Sequence, residues 1–356
     1  HVKRHSFPTR RSSDLKDKVQ LAVWKPALAT NSEIVASYQA NRLRVVHQVR
    51  YSLHNENAID LVLFLNGLPV ATVELKTDFT QSIGDAIEQY RLDRSPNPKG
   101  QAPEPLLTFP RGALVHFAVS NREVQMTTRL VGPTTEFLPF NQGDGGGAGN
   151  PVNPGGHRTA YLWQQVWARE SWLEILGRYL TTVRDKKKAI AKIIFPRFHQ
   201  LDVTRKLLAA VLRDGPGSRY LIQHSAGSGK TNSIAWTAHF LAELHDDAGA
   251  KVFDTVLVVS DRSVIDGQLQ DALFDFQRTT GVVECITDEG ASKSSKLTAA
   301  LSGSKKVVAC TIQTFPFALE EVTRQAAARG KRFAVIADEA HSSQAGDAAK
   351  KLKAVL

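Results

Sequence analysis

A glycine-rich stretch, HSAGSGKT at His224 to Thr231, stands between an apolar run, RYLIQ, and a helix-forming run, NSIAWTAHFLAEL. The apolar run reads as a strand. Glycines at a strand-to-helix turn specify a phosphate-binding loop, which commits the surrounding chain to an α/β core. Gly227 and Gly229 let the backbone wrap an anion without Cβ clashes. The loop backbone at Ala226, Gly227, Ser228 and Gly229, with the start of the following helix, supplies the anion site. Lys230 is expected to reach the β- and γ-phosphates of a nucleotide, and Thr231 to ligate Mg²⁺. His224 stands where the general pattern has its first glycine.

A second piece lies downstream. RFAVIADEAH is an apolar strand ending in two carboxylates. Asp338, at the strand tip, is expected to hold the Mg²⁺ shell, and Glu339 to orient or deprotonate the attacking water. A phosphate loop followed by an acidic strand end points to ATP hydrolysis, with ATP and Mg²⁺ as cofactors. TVLVVS (Thr255 to Ser260) and KKVVACTIQTF (Lys305 to Phe315) are further apolar strands, separated by helical stretches. That alternation predicts a parallel sheet with helices on both faces.

The first half of the chain reads differently. AIDLVLFLN (Ala58 to Asn66) and LPVATVELK (Leu68 to Lys76) flank Asn66-Gly67, which predicts a hairpin. SIGDAIEQYRLDR (Ser82 to Arg94) predicts a helix with Ile83, Ala86, Ile87 and Tyr90 on one face, ended by Pro96, Pro98 and Gly100. ALVHFAVS and REVQMTTRL read as two more strands. Glu74 and Lys76 are two apart on a strand and share a face, and Asp60 can approach them across the hairpin. Two carboxylates can hold Mg²⁺, and a nearby lysine can position water or stabilise charge beside a scissile phosphate. An ordinary hairpin with a solvated face also fits this spacing. The carboxylate of Glu74 inside the apolar run VATVEL favours a purpose.

Composition narrows the class. The 356 residues allow two or three domains, and 42% hydrophobic with 22% charged residues is a globular balance. A net charge of +10 favours polyanions such as nucleic acid. Cys285 and Cys310 form no disulfide framework and no C-x-x-C, and read as buried free thiols. There is neither an apolar run long enough for a membrane span nor a signal-peptide pattern, so a cytoplasmic protein without membrane contact is expected. NQGDGGGAGNPVNPGGH (residues 141–157) marks a domain boundary or a long loop. Trp163, Trp167 and Trp172 in the helical segment that follows read as core, and RDKKKAIAK (Arg184 to Lys192) as a solvated face. The opening HVKRHSFPTRRSSDLKD lacks periodicity and resembles translated adapter sequence, so it is expected to lie outside the native fold.

HSAGSGKT and DEAH resemble the first and second motifs of superfamily 2 helicases and translocases. VVSDRSVIDGQL (Val258 to Leu269), with Asp261 and Arg262, resembles an intervening block, and TIQTF (Thr311 to Phe315) the block that contacts the tracked strand. FHQLDVTRKL (Phe198 to Leu207) resembles the upstream motif in which a glutamine reads adenine. This implies Gln200 as an adenine contact and Arg205 as its supporter, although a plain amphipathic helix fits the same residues. ENAIDLVLFLNGLPVATVELK resembles the nuclease domain of the restriction (R) subunit of type I restriction-modification enzymes, and NPVNPGGHRTAYLWQQVWARESWLEILGRYL the linker between nuclease and motor in those subunits.

The resemblance implies an α/β chain with a PD-(D/E)xK-type nuclease domain followed by a RecA-like parallel-sheet P-loop motor lobe, truncated at its end. Residues 1–17 are then a non-native leader, 18–140 the endonuclease-like domain, 141–194 a linker and helical segment, and 195–356 the first helicase or translocase lobe, incomplete. Asp60, Glu74 and Lys76 become the cleavage residues, with Asp60 and Glu74 as metal ligands. Gln89 resembles the helix glutamine of this nuclease group, but Tyr90 follows it directly where the group spaces Q-x-x-x-Y, so no role is assigned to it. The implied activity is that of an ATP-hydrolysing type I site-specific deoxyribonuclease acting on double-stranded DNA. Its implied partners are a methyltransferase (modification) subunit and a specificity subunit. Two other readings stay open: a repair or remodelling helicase that does not cut, and a DNA-binding and assembly polypeptide inert by itself.

Overall fold

Residues 20–260, 267–277, 281–286 and 293–338 are described by a computed structural model. They divide into two units, one ending at Leu201 and the other beginning at Asp202. The expected leader, and Asp261, Arg262, Glu339 and His341 among the motif residues, lie outside the described residues.

The first unit opens on α1 (Ser32–Gln39), whose N-cap Asn31 accepts the amides of Glu33 and Ile34. A six-stranded sheet follows, its strands side by side in chain order: β1 (Leu43–Arg50), β2 (Ala58–Leu65), β3 (Leu68–Leu75), β4 (Val115–Val119), β5 (Val124–Thr127) and β6 (Leu138–Pro139). All neighbours are antiparallel except β3 and β4. Asn66 and Gly67 take positive φ (51° and 86°), the turn whose twist suits a two-residue hairpin between β2 and β3. Between β3 and β4 the chain crosses over through α2 (Ile83–Glu88) and a π-helical turn, Gln89–Asp93, as a parallel pair requires. The helix expected over Ser82 to Arg94 is therefore present, but its second half is wound more loosely.

β3 and β4 are the centre of this sheet, buried from Val70 to Glu74 and along all of β4. Ile59, Val62, Tyr90, Leu107 and Leu130 form one core cluster. Phe117 packs in another, with Phe140, Trp167, Trp172 and Phe195 at ring-centroid distances of 5.6–6.5 Å. Trp167 and Trp172 thus serve the core, whereas Trp163 is 44% exposed. Residues 141–157 form a loop inside this unit, pinned by Asn150, whose amide donates to Arg122 O (2.9 Å) and to Asn141 Oδ1 (2.8 Å).

After π-helical turns and α3 (Arg169–Glu174), the chain makes a two-stranded hairpin, β7 (Thr181–Arg184) and β8 (Ile190–Ile194). The segment expected to be linker and helix up to residue 194 is corrected to strands here. Threonine, valine and isoleucine favour the pleat. The Asp185 carboxylate accepts the Lys187 and Ala189 amides and closes the turn. The lysine run sits exposed at that tip.

A buried polar chain crosses the centre of the first sheet. Tyr90 and Thr72 share a hydrogen bond of 2.8 Å between hydroxyls, and Thr72 Oγ1 meets His116 Nδ1 at 2.7 Å. Burial holds the His116 imidazole well below its usual range, at about 3. The folded pKa is lower than the unfolded one, so between them the unfolded state binds the extra proton. Stability is complete above the unfolded pKa and falls as pH drops below it, by about 1.4 kcal/mol per pH unit from this group. Urea unfolding at pH 7 and pH 5 is expected to show this loss, and a His116→Gln chain to show a shallower one. Equal slopes in the two chains would remove His116 as the cause.

α4 (Phe198–Asp214) leads from the first unit into the second. α5 (Lys230–Ala242) precedes β9 (Thr255–Ser260), and then α6 (Gly267–Asp275), β10 (Val283–Cys285), α7 (Lys293–Ser302), β11 (Val307–Thr311), α8 (Phe315–Arg329) and β12 (Phe333–Ala337) alternate. The four strands pair in the order β10-β11-β9-β12, all parallel. Every residue of β9 and β11 is buried, as helices covering both faces require. Leu257, Val259, Val308 and Cys310 pack with Leu297 and Leu301 of α7 and Ala318 of α8, while Trp236 of α5 meets Phe276, just past the end of α6, at 5.0 Å. Both cysteines are free thiols, and burial pushes each up to about 12. Among the described residues no helix is long and apolar enough to cross a membrane.

One expected element is missing. RYLIQ, read as the strand before the phosphate loop, joins no sheet; Tyr220, Leu221 and Ile222 are 39%, 87% and 41% exposed. The Tyr220 hydroxyl donates to Asp214 Oδ2 at 2.9 Å, which ties the segment to the end of α4 and leaves its apolar run unpaired.

Candidate functional site

The hairpin register brings the first two carboxylates together. Leu61 pairs with Val73, so Asp60 and Glu74 are the next residues facing each other across β2 and β3. Asp60 is gripped from both sides. Its Oδ2 accepts the Leu75 amide at 2.8 Å, and its Oδ1 accepts Gln48 Nε2 at 3.0 Å. Gln48 on β1 stands opposite Asp60 with φ 50°, a conformation that side chains other than glycine rarely adopt.

Glu74 is fully buried. Its Oε1 accepts Arg94 Nε at 2.7 Å, an ion pair whose side chains are 8% and 0% exposed. Burial pushes the Glu74 carboxyl up to about 7; the Arg94 guanidinium opposes that rise and the Asp60 charge adds to it. Among the described residues Glu74 Oε2 has no hydrogen-bond partner, and neither has the buried Oε1 of Gln89. An orphaned buried carboxylate oxygen beside a second carboxylate suits a divalent cation bound through oxygen.

Lys76 lies just past β3, half-buried, its amide donating to Val119 O at 2.9 Å. It forms no salt bridge to Asp60 or Glu74 among the described residues. Asp85 at the start of α2 is held below the usual carboxylate range mainly by the Ser82 amide and hydroxyl, with Lys76 a smaller contributor. The structure therefore brings Asp60 and Glu74 face to face across the hairpin, and among the described residues gives Lys76 no ion pair with either. Sequence reasoning missed Arg94 and Gln48. Arg94 ends a helix and Gln48 sits in an exposed strand, and nothing in the local pattern of either points to a buried carboxylate.

In the second unit, Gly227 and Gly229 take φ of 71° and 81°, and α5 begins at Lys230. Its N-cap residue is Gly229, which has no side chain of its own to compete with an anion for the first amides. Thr231 lies in its first turn, and the Ser228 amide closes the loop on Ser225 O at 3.3 Å. β9, β11 and β12 end together: Thr311 pairs with Ser260, Ala337 with Val259, and the Asp338 amide donates to Val259 O at 2.9 Å. Thr311 and Thr314 share a buried hydroxyl bond of 3.0 Å within TIQT. The carboxyl edge of an open parallel sheet is where such folds bind ligands. Gln200, which belongs to the first unit, is 2% exposed on the first turn of α4 and accepts the Arg197 amide through Oε1 at 2.9 Å, the reach-back half of a capping box.

Residues 11–135 match the family described as the type I restriction enzyme R protein N terminus, and residues 199–356 match the SWI2/SNF2 ATPase family. No curated protein matches the chain. The chain carries a mixed-sheet region like that N terminus, followed by a parallel-sheet ATPase lobe, an architecture that implies use of ATP.

Proposed function

We propose that the chain is the motor and nuclease subunit of a type I restriction complex, which translocates double-stranded DNA at the expense of ATP and then cuts it. The observation that carries this is the Asp60–Glu74 pair, in which Glu74 is buried and keeps an orphaned oxygen, in a chain that also holds a glycine loop at a helix start. Asp60 and Glu74 would hold Mg²⁺, which when bound supplies a Lewis acid at the scissile phosphate. Lys76 would stabilise charge at that phosphate. In the second unit, the backbone of Ala226 to Gly229 would cradle the nucleotide phosphates and Lys230 would contact them. Thr231 and Asp338 would hold the nucleotide's Mg²⁺, Glu339 would orient water, and Gln200 would read adenine.

The match to an R protein supports two partners, a methyltransferase subunit using S-adenosylmethionine and a specificity subunit that selects the DNA site. ATP turnover by the intact subunit, measured with and without double-stranded DNA, tests the reading. DNA is expected to raise turnover about tenfold, the size of an ordinary coupling between two sites. Turnover indifferent to DNA would sink the translocase assignment.

A further inference from the structure

Glu74 divides its two oxygens between different surroundings. Oε1 accepts Arg94 Nε at 2.7 Å, while Oε2 is buried with no hydrogen-bond partner among the described residues. Arg94 is 7% exposed and fixed at several other points. Its Nη2 donates to Ala58 O at 2.9 Å, its amide donates to Gln89 O at 3.1 Å, and its guanidinium carbon lies 5.9 Å from the centre of the Tyr51 ring. Ala58 and Asp60 share β2, and Glu74 lies on β3. One side chain thus ties the end of the helical crossover to both strands that carry the carboxylates.

We propose that Arg94 is a positioning residue of the Asp60–Glu74 site: it fixes Glu74 through Oε1 and so presents Oε2 to a divalent cation shared with Asp60. This rests on the metal-dependent reading given above. A buried carboxylate without a counter-charge is strongly disfavoured. A guanidinium supplies that charge and, being planar and forked, also reaches a second acceptor. Arg94 uses both capacities, on Glu74 and on the Ala58 carbonyl. Asp60 is fixed in a parallel way by Gln48 and the Leu75 amide. Each carboxylate is therefore oriented by donors already in place before a cation arrives, as outer-shell groups orient metal ligands elsewhere.

Calorimetric titration of Mn²⁺ into the intact protein without nucleotide tests this, on wild type, Glu74→Gln, Arg94→Met and Arg94→Lys, with DNA-stimulated ATP turnover followed in parallel. Arg94→Met is expected to weaken Mn²⁺ binding by about 10–100-fold, the usual effect of removing a group that orients a metal ligand, and to leave ATP turnover unchanged. Arg94→Lys keeps the charge but not the fork, and its affinity is expected to fall between the two. If Arg94→Met does not fold, Arg94→Lys decides the matter by binding Mn²⁺ more weakly than wild type. A folded Arg94 variant that binds Mn²⁺ as tightly as wild type, or more tightly, overturns the proposal while the metal site stands. Equal binding by wild type and Glu74→Gln overturns the metal site and the proposal together.

Discussion

A Lys230→Ala chain is expected to lose ATP turnover by about 10²–10³-fold, the cost of removing one preorganised charge from a developing anion. DNA translocation and ATP-dependent cleavage by the assembled complex should go with it. Lys230 is the first residue of α5, just past Gly229 in its left-handed conformation. Alanine is the strongest helix former, so α5 keeps its length and the loop keeps its glycines. The loss therefore reports on the ammonium group rather than on folding. Steady-state phosphate release with saturating DNA measures it, alongside circular dichroism of the variant. Retained translocation in a folded Lys230→Ala chain would reject the phosphate-loop role.

Glu74→Gln is expected to separate the two activities in the other direction. Cleavage in Mg²⁺ should fall by about 10²–10³-fold, because an amide replaces a ligand oxygen in a preorganised electrostatic site. DNA-stimulated ATP turnover should persist. The amide oxygen can still accept from Arg94, but the guanidinium loses its counter-charge, and breaking a buried pair costs about 3 kcal/mol. The thermal midpoint is read for that reason, and Asp60→Asn serves as a second cleavage variant that leaves the Arg94–Glu74 pair intact. Normal cutting by a folded Glu74→Gln chain would reject the nuclease site and favour a helicase that does not cut.

Where one residue pair or one short run decided the structure, the sequence could be read. Asn66-Gly67 specified the β2–β3 hairpin, because both residues of the turn adopt positive φ; the meeting of Asp60 and Glu74 also depends on the register shift at Leu63/Phe64, which no residue pattern announced. Apolar runs with no alternation announced β9 and β11, which are buried on every residue. Contacts between distant segments were not legible. The Arg94 bond to Glu74 spans 20 residues, and that of Gln48 to Asp60 spans 12. Tyr220 to Ile222 has the composition of a strand, yet it joins no sheet and its Tyr220 hydroxyl bonds to Asp214 at the end of α4. Lysines after Arg184 suggested only a solvated face; the Asp185 turn that makes them a hairpin tip depends on backbone amides, which composition does not reveal. Glu339 lies outside the described residues, so its role rests on the sequence alone.

β3 runs between an antiparallel neighbour and a parallel one, and Glu74 is its last buried residue. A carboxylate pair mounted there comes into being with the domain itself and lasts as long as the sheet does. On the proposed function, such a blade is always drawn. The timing of a cut then falls to whatever brings a strand of DNA within its reach, which is the motor role proposed for the second unit.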